Sequence, residues 1–448
     1  MAGVVPVPVG DEPSVAELIA ARPHLSMHAM SGLVLEDVPL SAIADALGTP
    51  TWVYGAGTIR ARLAALRGAL DAAGLPAHVH YAVKANDHLA LLRVFGAAGV
   101  GADVVSGGEM RRALAAGIPA GRIVFSGVGK TAAELEQAVG LGVAQINVES
   151  AEELAMLSAV AARLGRTAEV ALRINPDVDA GTHVKITTGL SRNKFGIPYA
   201  DAPALYARAA GLPGVRPVGI ALHIGSQILS LPPYAAAFQR AAEMVRALRA
   251  QGLAVRRVDC GGGLGIAYRD EIAPTVAAFA GVIRGALGGL DVEMMLEPGR
   301  WLVGPAGVLL ASVVLVKAGA TRFVVLDAAM NDLVRPAMYD AWHGIVPLAA
   351  TDAVAPASPA DVVGPVCESG DTFAHARPLP ALAPGARVAI LDAGAYCSVM
   401  SSTYNARPFA AAALVDGGRW SAIRPRQELA ALWAGETVPD WLAEAGAG

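Results

Sequence analysis

Cysteine is scarce in this chain. Its three residues, Cys260, Cys367 and Cys397, are odd in number and far apart, which excludes a disulfide framework and a zinc knuckle, so no structural metal is expected. Charge is sparse too, at 17% of residues, and the Lys and Arg side chains are scattered rather than clustered. With a formal net charge of −4 there is no basic footprint for nucleic acid, which is excluded as a partner. Also missing is any run of about 18 residues free of both charge and helix breakers, so no membrane span is expected despite the high apolar content. The first residues lack the basic-then-apolar pattern of a secretory leader, and a cytoplasmic location follows as an expectation.

What is present is apolar and rhythmic. With 448 residues, 54% of them hydrophobic, the chain can bury a barrel-sized core and still build a smaller second domain. Strand-like runs fall at 79–83, 102–105, 123–125, 145–148, 170–174, 218–223, 255–260 and 292–296. Amphipathic stretches of crossover length separate them, at 89–98, 109–116, 132–141, 151–164, 234–250 and 275–287. Eight alternating units predict a closed (β/α)8 barrel. Past Trp301 the pattern turns to β-rich runs at 308–316, 322–326, 361–366, 387–391 and 411–415, broken by Pro and Gly. These predict a second, mainly antiparallel β domain joined by a strand from the N-terminal region, at 33–38. Helices are expected at 41–47 and 58–73, the latter capped by Thr58. The expected organisation is therefore a loose arm over 1–23, a barrel over 48–303, a β domain from 24–47 plus 304–430, and a tail over 431–448.

A barrel brings all eight strand ends to one mouth, and here those ends are chemically loaded. The first ends in Lys84, which desolvation could leave neutral and nucleophilic, able to form a Schiff base with a carbonyl compound. The second ends in Ser106-Gly107-Gly108-Glu109, the third in Ser126-Gly127, the fourth in Asn147-Val148-Glu149-Ser150 and the fifth in Arg173-Ile174-Asn175. The sixth gives His223-Ile224-Gly225-Ser226, the seventh Gly261-Gly262-Gly263 and the eighth Glu297-Pro298-Gly299-Arg300. Taken singly each has a bland reading: a helix start, a tight turn, a core histidine. Together they suit a phosphorylated electron-sink cofactor. Glycines after a late strand let backbone N–H groups cradle a phosphate, a carboxylate at the neighbouring strand end can keep a pyridine nitrogen protonated, and a flat imidazole can stack on the ring.

These motifs resemble those of the diaminopimelate decarboxylase family, enzymes of the alanine-racemase-like fold type that use pyridoxal 5'-phosphate. The resemblance covers about 30–408. It is carried by Tyr81-Ala82-Val83-Lys84-Ala85-Asn86, by residues 101–109, by His223-Ile224-Gly225-Ser226-Gln227 and by Glu297-Pro298-Gly299-Arg300. In the second half it rests on Arg335-Pro336-Ala337-Met338-Tyr339, on Gly364 through Asp371 and on Asp392 through Tyr396. The resemblance implies that Lys84 holds the cofactor covalently, His223 stacks on its ring and Glu297 pairs with its nitrogen. The phosphate would lie on Gly261, Gly262 and Gly263, with Ser226, Gly299, Arg300 and Tyr396. It further implies that Arg300, Arg335 and Tyr339, beside Tyr396, bind the distal carboxylate of meso-diaminopimelate and that Glu368 receives its distal ammonium. Cys367 would come from the partner of a homodimer with shared active sites and assist proton transfer at Cα. Residues 182–189 through 193–196 resemble the family's active-site loop, and Cys397 stands where the family pattern has Gly. A decarboxylase of ornithine or lysine, or a non-catalytic carrier of the same cofactor, are the alternatives; the carrier would have no use for Arg335, Tyr339, Cys367 or Glu368.

Overall fold

A computed structural model describes residues 12–179 and 194–443, which divide into two compact units. One is a closed barrel of eight parallel strands: β1 (Ala77–Ala82), β2 (Gly101–Val104), β3 (Ile123–Phe125), β4 (Gln145–Val148), β5 (Ala168–Asn175), β6 (Val215–Ala221), β7 (Arg257–Asp259) and β8 (Glu293–Leu296). Each pairs with the next, and β8 pairs with β1 to close the ring. The strands read as near-continuous apolar runs because helices cover their outer face while side chains fill the lumen, so both faces are buried. The intervening helices end where sequence chemistry stops them. Thr131 and Glu134 form a capping box at the start of Ala132–Leu141, and Gly142 closes it in the left-handed conformation at φ 71°. A short strand, Ile197–Pro198, adds to the end of β5 outside the closed ring.

The strands expected at 123–125 and 145–148 and the helix expected at 132–141 have the same bounds in the structure. Other ends coincide or shift by up to four residues. The helix expected at 58–73 is Ala56–Ala72, and its N-cap is Gly55 rather than Thr58, which is buried inside the first turn. The barrel unit spans Gly55–Gly307 and also takes in Leu391–Val399, a stretch that the sequence reading had left in the β domain. Hydrogen bonds from Asn86 Nδ2 to the Gly394 carbonyl (3.0 Å) and from the Tyr396 amide to the Ala85 carbonyl (2.7 Å) tie that stretch to the end of β1.

The second unit draws on residues 1–54, 308–390 and 400–448. Its larger sheet is mixed: Phe323–Leu326 runs parallel to Ala357–Val363, and the pairs formed by Gly307–Lys317 with Phe323–Leu326 and with Arg387–Ile390 are antiparallel. The N-terminal strand expected at 33–38 does not enter this sheet. Glu36 and Asp37 take positive φ (46° and 68°) and turn the chain, so Gly32–Leu35 and Val38–Pro39 form a separate three-stranded sheet with Leu25–His28. The strand that joins the larger sheet is Thr51–Gly55, fully buried between Gly307–Lys317 and Ala411–Asp416. Within the expected loose arm, Ser14 and Glu17 form a capping box on the helix Val15–Ala20. Residues 1–11 of that arm, 182–193 of the expected active-site loop and 444–448 of the tail lie outside the described residues. Among the described residues no helix is long and apolar enough to cross a membrane.

Candidate active site

Lys84 sits on a 3-10 turn, Val83–Ala85, at the end of β1. The turn is fastened from below: Tyr81 stacks on Phe95 with centroids 4.1 Å apart, and its hydroxyl donates to the Asn86 carbonyl at 2.9 Å. The Lys84 Nζ donates to Asp103 Oδ2 at 2.8 Å; Asp103, on β2, is fully buried, while 31% of the lysine side chain remains exposed. Burial opposes the ammonium, but Asp103 first, then Glu297 and Tyr396, outweigh it and raise the Lys84 pKa above the ordinary lysine value. This corrects the expectation that desolvation leaves Lys84 neutral. A buried carboxylate in contact with the amine reverses the sign of the shift.

Around Lys84 the mouth gathers the residues that follow β6, β7 and β8. The glycine run is required by its backbone. Gly261 and Gly263 take φ of 66° and 98°, and a Cβ at Gly261, Gly262 or Gly263 would run into the carbonyls of Leu222, Glu297 and Gly225 respectively. His223 Nδ1 accepts from the Gly262 amide at 3.4 Å; burial, then the charges of Lys84 and Arg173, hold its pKa well below the usual value, so the ring is neutral. Gly299 caps the short helix Arg300–Val303, and a Cβ there would crowd Ala85 and approach the Tyr396 hydroxyl. Arg300 donates to Ser226 Oγ (3.0 Å) and to the Tyr268 hydroxyl (2.7 Å) and lies 4.7 Å over the Tyr396 ring. Tyr396 itself is held at φ 56°, in the region that side chains other than glycine avoid.

The lumen beneath joins Asn147, expected at the fourth strand end, to Asp259, for which the sequence raises no expectation. Asn147 of β4 donates through Nδ2 to Asp259 Oδ2 on β7 at 2.9 Å, and it lies 3.4 Å from Glu297 Oε1 and 3.1 Å from Ser126 Oγ. Burial, followed by the neighbouring Asp103 and Asp259 carboxylates, lifts the Glu297 pKa well above the usual range; Asp259 is raised as well, burial again being the main cause. The Asp259 carboxylate thus disfavours ionisation of Glu297. The signal for Asp103 is a carboxylate set inside the otherwise apolar run Gly-Ala-Asp-Val, whereas Asn147 and Asp259 lie on strands that carry Gln145 and Arg257 as well.

Two buried atoms here lack a hydrogen-bond partner among the described residues: Asp103 Oδ1 and Arg300 Nε. An unmet acceptor beside the Lys84 amine, and an unmet donor on the guanidinium that holds Ser226, fit a ligand that is anionic near Arg300. With the glycine cradle, a neutral imidazole and a carboxyl at the strand end, the residues present fit pyridoxal phosphate.

The other residues named from sequence belong to the second unit. Arg335 opens the helix Arg335–Tyr339, is buried and lies 2.7 Å from His343 Nε2 through Nη1. Cys367 and Glu368 are exposed on a loop that Asp371 fastens, its carboxylate accepting from the amides of Val366 and Met330 at 2.7 Å each. A Cβ at Gly364 would collide with that carboxylate. Cys397, in the barrel unit, is buried with Sγ 3.1 Å from the Ala395 carbonyl.

Comparison with known proteins converges on the same chemistry. Residues 56–304 match the model of the pyridoxal-dependent decarboxylase family's pyridoxal-binding domain. The diaminopimelate decarboxylase of Zymomonas mobilis is 48% identical over 417 residues, covering 92% of this chain and 98% of that protein. Among solved structures, diaminopimelate decarboxylase from Helicobacter pylori, complexed with L-lysine, is 40% identical with a TM-score of 0.85, covering 91% of this chain and 100% of the other. The enzyme from M. jannaschi is 34% identical with a TM-score of 0.89, covering 94% and 100%.

Proposed function

The chain belongs to the diaminopimelate decarboxylase family of pyridoxal-dependent decarboxylases, and from that membership we propose its reaction: removal of the carboxyl group at the D-centre of meso-2,6-diaminopimelate, giving L-lysine and CO2. The observation that carries this reading is the juxtaposition of Lys84, His223, Glu297 and the Gly261–Gly263 cradle at one barrel mouth, in a chain that is 48% identical to a diaminopimelate decarboxylase over nearly its whole length.

When bound, pyridoxal phosphate supplies an electron sink for the pair of electrons left at Cα as CO2 departs. This chain's residues do the rest. Lys84 holds the cofactor through its amine, and Asp103 fixes where that amine points. Gly261, Gly262 and Gly263, the Gly299-Arg300 backbone, Ser226 and Tyr396 hold the phosphate. His223, whose pKa burial and the Lys84 charge hold low, would stack on the ring, and Glu297 would keep the ring nitrogen protonated. Arg300, Arg335 and Tyr339, with Tyr396, bind the distal carboxylate, and Glu368 receives the distal ammonium. Cys367 gives a proton to Cα from the neighbouring subunit of a homodimer; its exposure on a fastened loop supports a role outside its own unit. The proposed location is the cytoplasm.

The test is to incubate the purified protein, loaded with pyridoxal phosphate, with meso-diaminopimelate, ornithine and lysine and to follow CO2. Faster release from diaminopimelate than from ornithine or lysine supports the reading, and faster release from ornithine or lysine overturns it. For the shared site, Lys84→Ala and Cys367→Ala should each be nearly inactive. Mixed in equal amounts and reassembled, they should regain about a quarter of wild-type activity, since half of the dimers are mixed and each mixed dimer holds one intact site. No recovery after verified subunit exchange would show that each site is built from one chain.

A further inference from the structure

The lumen of the barrel contains a device that the roles above do not require. Glu297, which faces the mouth, is backed by a second carboxyl group, Asp259, deeper on β7 and wholly buried. The two are not equivalent. Asp259 accepts from the Gly261 amide through Oδ1 at 2.9 Å and from Asn147 Nδ2 through Oδ2 at 2.9 Å, whereas Glu297 Oε1 meets Asn147 and Ser126 only at 3.4 Å each. Two short donor contacts stabilise the anion at Asp259. With the anion favoured at Asp259 by these short contacts, a proton held by the two carboxyl groups falls to Glu297, whose own contacts are longer.

We infer that Asp259 is a positioning residue: clamped by Asn147 and the Gly261 amide, it keeps the pair's single proton on Glu297, and Glu297 passes that proton to the pyridine nitrogen as the cofactor seats. The balance is simple. For cofactor arriving with its ring nitrogen unprotonated, the O–H bond of Glu297 breaks, an N–H bond forms on the ring, the electron pair of the former O–H bond stays on the carboxylate, and the transfer leaves the net charge of the lumen unchanged. The barrel therefore supplies the ring proton from within, and no proton has to be drawn from solvent into a buried site. Asp259 then acts a second time as a fixed anion behind Glu297 that keeps the carboxylate basic enough to hold the pyridinium. The other titratable groups facing the pair are Asp103 from β2, Lys84 from the turn after β1 and Cys260 beside Asp259, whose thiol burial pushes well above its usual pKa. Of these only Lys84 opposes protonation of Glu297.

This inference rests on the proposed function only in taking pyridoxal phosphate as the cofactor, and its test needs no turnover. Infrared spectra of the full-length apoprotein, taken above the titrations of Asp332 (about 6) and Glu109 (about 7), should contain a carboxylic-acid C=O band. The band should shift on 13C labelling of glutamate carboxyls but not of aspartate carboxyls, and it should vanish on loading with pyridoxal phosphate. In Asp259→Asn it should titrate at least about one pH unit lower, and in the loaded variant the 15N resonance of the ring nitrogen should report deprotonation at a correspondingly lower pH. Absence of the band, its assignment to aspartate, or its survival in loaded protein overturns the inference. So does a folded Asp259→Asn whose two titrations are unmoved; if that variant does not fold, the isotope and loading experiments on the wild-type chain still decide. Should the protein bind the cofactor but decarboxylate a different amino acid, the proposed substrate falls while these spectra stand.

Discussion

Lys84 Nζ and Asp103 Oδ2 meet at 2.8 Å, joining the turn after β1 to a wholly buried position on β2. The contact keeps the amine charged in the chain by itself, so Asp103 sets the acidity of Lys84 as well as its direction. Replacing Asp103 by Asn leaves burial, which disfavours an ammonium, with less to oppose it. The expected outcome is a Lys84 that reacts with an amine-selective acylating reagent at pH values lower by one unit or more than in the wild-type apoprotein. Peptide mapping of the modified residue against pH measures this, and an unchanged midpoint would remove Asp103 from control of the lysine.

Borohydride treatment of the yellow, cofactor-loaded protein should leave a pyridoxyl group on Lys84 and on no other lysine. Lys130 is the informative control. It too stands beyond a strand end, but its Nζ is buried and donates to the Gly127 and Asn147 carbonyls at 2.7 Å each and to Glu153 at 2.8 Å. All three of its protons are engaged, so it has no free direction from which to meet an aldehyde. Mass spectrometry of the digested protein decides, and a label on Lys130 or Lys194 would overturn the assignment.

Glu109 gives a pH dependence of stability. Burial lifts its pKa from 4.5 to about 7, against the hydrogen bond from the Val105 amide, which lowers it. Here the folded state holds the proton more tightly than the unfolded state. Stability contributed at low pH is therefore lost as pH rises between 4.5 and about 7, and the curve is flat above. The apoprotein should lose on the order of 1–3 kcal/mol across that window, a range discounted for partial exposure. Glu109→Gln should flatten that part of the curve. Denaturant midpoints measured across the window check both.

Substrate choice should reside in the second unit. Arg335→Ala should reduce kcat/KM for diaminopimelate more than for lysine, which lacks the distal carboxylate, and Glu368→Ala should hurt substrates with a distal ammonium most. Because Arg335 is also buried against His343, the ratio between substrates is the readout, and any general loss of folded protein cancels. Equal losses on both substrates would remove Arg335 from carboxylate recognition.

The barrel and its mouth were legible in the sequence because strand ends advertise themselves. Lys84, Glu297 and the run Gly261-Gly262-Gly263 break apolar runs where a loop must begin, and the crossover helices carry caps such as Thr131 that mark their starts. That Asp103 meets Lys84, and Asn147 meets Asp259, is not legible for the opposite reason. Asp103, Asn147 and Asp259 each lie within a strand, and in a barrel the inward and outward faces are both buried, so alternation gives no hint that a polar residue at one register points into a shared lumen. The fate of Thr51–Gly55 was hidden differently. Its Thr-Trp-Val-Tyr run has strong strand chemistry, but it precedes the first barrel strand and pairs with partners more than two hundred residues away, and pairing over that distance leaves no local pattern.

The clip formed by residues 391–399 has a consequence for the order in which the chain becomes a working machine. As the ribosome extends it, all eight barrel strands have been made by Leu296 and can close on one another once clear of the ribosome. The contacts that secure the end of β1, from Tyr396 to Ala85 and from Asn86 to Gly394, have to wait until the intervening sheet strands from Gly307–Lys317 to Arg387–Ile390 have been made. A nascent or truncated chain can thus own a finished barrel while the turn bearing Lys84 is still unfastened and Tyr396 is missing from the mouth. A fragment ending after Leu296 lacks both ties to the turn that bears Lys84.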